Sequence, residues 1–248
     1  MDSPNFSFLI SGEPFRLFSS SHVVSLLILL FLIVLLYLYR HKLQTPFVSK
    51  CTRYVLAALL LLSEVCYQLW HVYTESWFAA YTLPLQLCSV TLLFSAFMLI
   101  SKNYGLYEIT FFAGIGGAAQ ALLTPELFYP FPHFRFFHFF LAHAGIVLAC
   151  LYMTWVEGYR PVLRSIWKTM GFLNLLLIIA LLVNKWTGGN YLFVSHKPEN
   201  ASLIDFLGPY PWYILSLEGV ALALFSLLFI PFAGKKPTSK ERSKDFTS

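Results

Sequence analysis

Residues 23–42 read VVSLLILLFLIVLLYLYRHK: an uncharged, mostly apolar run that ends on Arg40-His41-Lys42. A helix needs about 20 mainly apolar residues to cross ~30 Å of hydrocarbon, so Val23–Tyr39 is expected to span a membrane. A cleaved signal peptide carries its positive charge before the apolar run and a small-residue cleavage site after it. Here the charges follow the run, so the segment is expected to stay as a span. Six further stretches have similar length and character: Tyr54–Tyr73, Pro84–Ser101, Leu106–Leu123, Phe136–Trp155, Ile166–Val183 and Trp212–Phe232. The whole chain agrees, with 58% hydrophobic and only 12% charged residues. A soluble domain carries roughly 25% charged residues, so a soluble enzyme, a disordered chain and a disulfide scaffold are excluded. The four cysteines, Cys51, Cys66, Cys88 and Cys150, form no CxxC pair and give neither a zinc nor a disulfide framework.

Charge fixes the expected orientation. Of the 17 Lys and Arg residues, only Arg16, Arg135, Lys185 and Lys197 fall on one side of the seven spans. The others gather in the connections after the first, third and fifth spans and in the C-terminal tail. By the positive-inside rule the chain is expected to be an all-α seven-transmembrane-helix bundle, with its N-terminus outside and its C-terminus in the cytoplasm. Residues 1–233 then form one membrane domain. Residues 234–248 form a basic tail, expected to be disordered near anionic headgroups. The long connection Thr187–Pro211 is either a cap over the outer face or a plain connector. It also carries the sequon Asn200-Ala201-Ser202.

Polar groups inside spans are costly and are functional candidates by default. At about 100° per residue, Glu64, Gln68 and His71 share one stripe of the second span, which is expected to face the bundle interior. With the orientation above, Gln68, His71, Gln86, Cys88, Gln120, His138, His143 and Glu218 all fall toward the outer ends of their spans. They define an expected polar layer near the outer headgroups. Cys88 is expected about one turn inside a helix started by Pro84, where the helix dipole favours a thiolate. The commoner reading of such a residue is a thiol that fills apolar space, as Cys66 and Cys150 are read. His143, among Ala142, Ala144 and Gly145, reads as a general base, a structural hydrogen-bond partner or a metal ligand. His138 lies about 140° round the helix from it, so the two make no same-face chelate. Glu218 could orient an imidazole or pair with an arginine. The run Gly114-Ile115-Gly116-Gly117-Ala118-Ala119-Gln120 reads as a close-packing surface with room beside it for a chain-like substrate.

Several separated stretches carry a resemblance. Gly116-Gly117-Ala118-Ala119-Gln120-Ala121-Leu122-Leu123-Thr124-Pro125 leads to Phe131-Pro132-His133-Phe134-Arg135-Phe136-Phe137. These stretches are followed by Asn190-Tyr191-Leu192-Phe193 and Gly208-Pro209-Tyr210-Pro211-Trp212-Tyr213. In this order they resemble the YwaF family of bacterial integral membrane proteins, which is similar to the eukaryotic transmembrane protein 164 acyltransferases. The resemblance implies acyl transfer between phospholipids through a cysteine, with Cys88 as nucleophile and His143 as its partner. Gln86 stands where many bacterial members carry a histidine. Membrane phospholipids are the implied partners, with no nucleic acid, cofactor or metal, and the cell membrane is the implied location. Glu64, Gln68, His71, Gln86, Gln120 and Glu218 are the expected supporting or substrate-binding residues. The competing expectation is a non-enzymatic seven-helix protein that binds, transports or senses a small solute through the Glu64-Gln68-His71 stripe and Glu218, with Cys88 as filler.

Overall fold

The computed structural model describes residues 14–198 and 203–234, which form helices and connections and, among the described residues, no strand. The tail at 235–248 and the sequon at 200–202 lie outside the described residues. The main helices are α1 (Ser20–Tyr39), α2 (Pro46–Tyr73), α3 (Leu87–Ser101), α4 (Tyr104–Leu123), α5 (Phe134–Trp155), α6 (Leu163–Thr187) and α7 (Trp212–Phe229). Helix α7 continues as a 3-10 turn to Phe232. Six of them are long and apolar enough to cross a membrane; α3, with 15 residues, falls below that length. At ~1.5 Å per residue it reaches about 22 Å.

The starts of α2 and α3 depart from the apolar pattern. Helix α2 begins at Pro46, ahead of the expected Tyr54, because proline suits a first helical turn and the basic turn that follows needs no apolar face. Within that turn Arg53 is buried, and its Nη1 donates to the Leu99 carbonyl at 2.5 Å, closing the end of α3. Helix α3 starts at Leu87 rather than Pro84, since Gln86 is extended and forms the N-cap. Helix α6 outruns its expected Ile166–Val183 and stops at Gly188, whose φ of 74° suits glycine.

Helix α5 is the hub and packs on α1, α2, α3 and α4, while α6 joins the bundle through α4 and carries α7. Small residues set the approach distances. A Cβ on Gly145 would stand 2.7 Å from Leu60 Cδ2 on α2. One on Gly114 would stand 3.0 Å from Ile146 on α5 and 3.7 Å from Thr91 on α3. Gly116 and Gly117 are covered by Leu224 and Leu87. The glycine run is therefore a packing surface, and neighbouring side chains fill the space expected for a substrate chain. The middle turn of α4, Thr110–Gly114, widens to a π-helix and turns the Thr110 carbonyl toward the Cys150 thiol, 3.3 Å away. The outward faces of α1 and α6 expose Leu27, Ile28, Phe31, Leu175, Ile178 and Leu182, a surface suited to lipid.

Two registers follow from these contacts. Helices α3 and α5 run parallel. Thr91 meets Ile146 across Gly114, Ser95 lies beside the Cys150 thiol, and Lys102 pairs with Glu157. Each of these pairs is separated by 55 residues. Helices α2 and α5 run antiparallel, with Leu60 on Gly145, Tyr67 stacked on His138 at 4.7 Å, and Arg135 over Trp70 at 5.9 Å.

Candidate functional site

The α3–α5 register, extended one turn toward the helix starts, brings Cys88 level with His143. Cys88, Thr91 and Ser95 lie within about 60° of one another on α3, and His143, Ile146 and Cys150 do so on α5. The two residues thus belong to the facing stripes. Cys88 is half-buried at the second position of α3. It precedes the first backbone bond of the helix, from Val90 N–H to the Gln86 carbonyl. The N–H groups of Leu87, Cys88 and Ser89 are thus outside the helix ladder, as first-turn donors are.

His143 is 7% exposed, and its Nδ1 lies 2.6 Å from the Phe139 carbonyl oxygen. A carbonyl only accepts, so Nδ1 holds the proton and Nε2 is the basic nitrogen. Among the described residues no hydrogen bond engages Nε2. This is the tautomer a general base needs, held by the backbone of its own helix and by the Phe139 ring at 4.2 Å.

Glu64 and Gln68 bond to each other: Gln68 Nε2 donates to Glu64 Oε1 at 2.9 Å and to the Thr82 carbonyl at 3.0 Å. Gln68 Oε1 accepts from Trp77 Nε1. Glu64 and His71 are buried and Gln68 half-buried, so the stripe faces inward. One turn beyond the Leu60–Gly145 contact, Glu64 stands near the level of His143. His71 instead turns to Ser76, with Nδ1 2.8 Å from its hydroxyl, while its Nε2 is buried without a partner. The remaining expected residues are dispersed. Gln86 Oε1 accepts from Leu192 N–H, exposed Gln120 bonds Thr124 on its own helix, and Glu218 accepts from Asn174 of α6.

The bond to Gln86 resolves the role of the connection after α6. Its Tyr191 is buried, and the hydroxyl donates to the Ala79 carbonyl and accepts from Leu83 N–H, both at 2.8 Å. Asn184 holds the Tyr191 backbone from α6. Gly189 lies so close to the Ala80 carbonyl that a Cβ would stand 2.1 Å from its oxygen. Burial pushes the Tyr191 phenol up to about 12, against the bond from Leu83, so it stays a donor. The described part of this connection is a strap across the segment that leads into Cys88.

Arg135 escaped the sequence reading, which placed it only as a loop charge. It lies 4.3 Å from the Tyr67 ring centre, and its Nη1 donates to His138 Nδ1 at 3.1 Å. Its backbone N–H bonds His133 Nδ1. Outside the helices, His133 is held below its usual pKa by burial and by the Arg135 charge. Among the described residues, no group of three His, Cys, Asp or Glu side chains could hold a metal ion.

The sequence profile of the TMEM164 family matches residues 17–229, a stretch that takes in all seven main helices. The chain belongs to the TMEM164 family. Six apolar helices and TMEM164 membership make it a membrane protein. Searches of curated proteins and of solved structures gave no match.

Proposed function

We propose that this TMEM164-family protein is a membrane-embedded acyltransferase that uses Cys88 as nucleophile and His143 as general base. His143 Nε2 takes the Cys88 proton, and the thiolate attacks an ester carbonyl of a phospholipid. The carbonyl carbon–oxygen ester bond breaks, the proton on His143 passes to the departing glycerol oxygen, and a lysophospholipid leaves. Cys88 is left as a thioester. A lysolipid or other acceptor hydroxyl then attacks the thioester, gives its proton to His143, and the returning thiolate is reprotonated. The first-turn N–H groups of α3 face the chemistry an oxyanion needs. No cofactor enters either half-reaction.

The observation that carries this reading is the level pairing of Cys88 with a histidine whose tautomer leaves Nε2 basic. The solute-binding alternative draws less support, because Gln68 is fully engaged and Glu218 is tied to Asn174 in an interhelical bond. The remaining parts of the proposal are topological. We read α3 as the seventh span, the N-terminus as outside, the Cys88 end as the outer leaflet of the cell membrane, and the chain as a bacterial YwaF-type member. The test is transfer of a labelled acyl chain from a diacyl phospholipid to a lysophospholipid by the purified protein in nanodiscs. Transfer lost in Cys88→Ala and His143→Gln is the expected result. No transfer by folded wild-type protein across common phospholipids overturns it.

A further inference from the structure

Next to the Cys88–His143 level, the same end of the α2–α5 pair holds a group of polar atoms that the acyl-transfer chemistry does not use. Arg135 has no carboxylate within ion-pair distance among the described residues, and it is buttressed by aromatic faces instead, Tyr67 at 4.3 Å and Trp70 at 5.9 Å. Its Nη1–H donates to His138 Nδ1, and a guanidinium cannot accept, so the His138 proton is on Nε2. That Nε2–H is buried and has no acceptor. Two further buried atoms lie around the same rings without partners. His71, 4% exposed, packs edge-on to Tyr67 at 4.6 Å with Nε2 unsatisfied. Tyr129, 6% exposed, packs edge-on to Trp70 at 5.9 Å with its hydroxyl unsatisfied.

A cation without a counter-ion, a buried N–H without an acceptor and a buried phenol without a partner share one requirement: an oxygen-rich anion. A buried donor left unmade is costly, whereas donors converging on a phosphate are the strong charge-assisted kind. A carboxylate of the chain would meet the same need, but among the described residues none is within ion-pair distance of Arg135. Arg135 lies within electrostatic reach of His143, the candidate base, and His138 is five residues before His143 on the same helix.

We propose that Arg135 and His138, with Tyr129, form a subsite for a phosphate group, positioned to hold the headgroup phosphate of a glycerophospholipid while its ester reaches Cys88. The assignment of the phosphate to the lipid substrate rests on the acyl-transfer reading; the anion subsite does not.

Binding is therefore measured on the full-length Cys88→Ala protein, which has no thiol at that position to acylate, in phosphate-free detergent. The probes are monomeric dihexanoylphosphatidylcholine, the phosphorus-free dihexanoylglycerol, and inorganic phosphate. The expected result is at least tenfold tighter binding of the phospholipid than of the glycerolipid, with the preference lost on Arg135→Gln or His138→Phe. Tyr129→Phe removes only a hydroxyl that bonds nothing in the structure, so it leaves folding intact and is expected to weaken phospholipid binding about threefold. Binding of inorganic phosphate alone, abolished by the same substitutions, supports the anion subsite and assigns it to a free phosphate solute. Equal binding of phospholipid and glycerolipid with no binding of inorganic phosphate overturns the proposal. So does phospholipid binding that is unchanged by Tyr129→Phe and by a folded Arg135→Gln protein. None of these outcomes depends on thioester formation, so this proposal and the acyl-transfer reading fail separately.

Discussion

The two ends of the α3–α5 pair both carry polar groups, and they are finished in opposite ways. At one end Glu157 accepts from Lys102 at 2.7 Å and from Ser49 at 2.5 Å, and Arg53 Nε stands 3.4 Å from it. Nearby, the Tyr152 and Tyr159 hydroxyls donate to the Ser49 and Lys102 carbonyls. At the other end His143, His138 and His71 each keep a ring nitrogen without a partner among the described residues, and Arg135 rests on aromatic rings. In a low-dielectric interior a satisfied network rigidifies the fold, while an unsatisfied one is costly until something completes it. The Glu157 end is thus a clasp, and the Cys88 end is where the molecule is chemically unfinished.

The largest effect expected from this contrast is on activity at the Cys88 end. Cys88→Ala should abolish acyl transfer, and His143→Gln should lower it about 10³-fold, while both proteins keep nearly wild-type melting temperatures in detergent. A large loss of thermal stability in either would move that residue to the structural side of the comparison. At the clasp the effect reverses. Glu157→Gln leaves the buried Arg53 without its counter-charge and should cost roughly 3 kcal/mol of stability, with activity per folded molecule preserved in the transfer assay.

The clasp also sets a pH dependence. Burial alone pushes the Glu157 carboxyl up, but the bonds from Lys102 and Ser49 and the charges of Lys102 and Arg53 outweigh it and hold the pKa below the ordinary 4.5. A carboxyl depressed on folding adds stability that is complete above its unfolded pKa and is lost as pH falls through the folded one. Melting temperature should therefore decline below about pH 4.5, and the decline should flatten in Glu157→Gln. The smallest effect belongs to Glu218→Gln, which keeps an acceptor for Asn174. It should change stability by less than about 0.5 kcal/mol and transfer by less than twofold. A large loss there would restore Glu218 to the site.

The helical segments were legible because a bilayer demands long apolar runs, and α1, α5 and α7 lie close to where those runs predict them. Pro46 and Gln86 mark where this fails: a proline-led basic start and an extended residue ahead of Leu87, which hydropathy does not see, set the starts of α2 and α3. Depth alone set the expectation of a polar layer, yet depth cannot say which residues meet. Gln120 bonds Thr124 at the end of its own helix and Glu218 bonds Asn174 of α6, because their helices face other neighbours. Arg135 was missed for a related reason, since its contacts with Tyr67 and His138 depend on the α2–α5 register. His22 is likewise silent in sequence, although it ties α1 to the end of α4 through the Leu122 carbonyl. The sign that could have flagged Arg135 is its company of histidines at 133 and 138 with no acidic residue in that stretch.

The most direct test of the central claim is intact-protein mass spectrometry after incubation with phospholipid, on wild type and Cys88→Ala, before and after neutral hydroxylamine. The account predicts a fatty-acyl mass on the wild type, removed by hydroxylamine and absent from Cys88→Ala. Well-folded wild-type protein that gains no such mass, or a Cys88→Ala variant that gains it equally, would contradict the account.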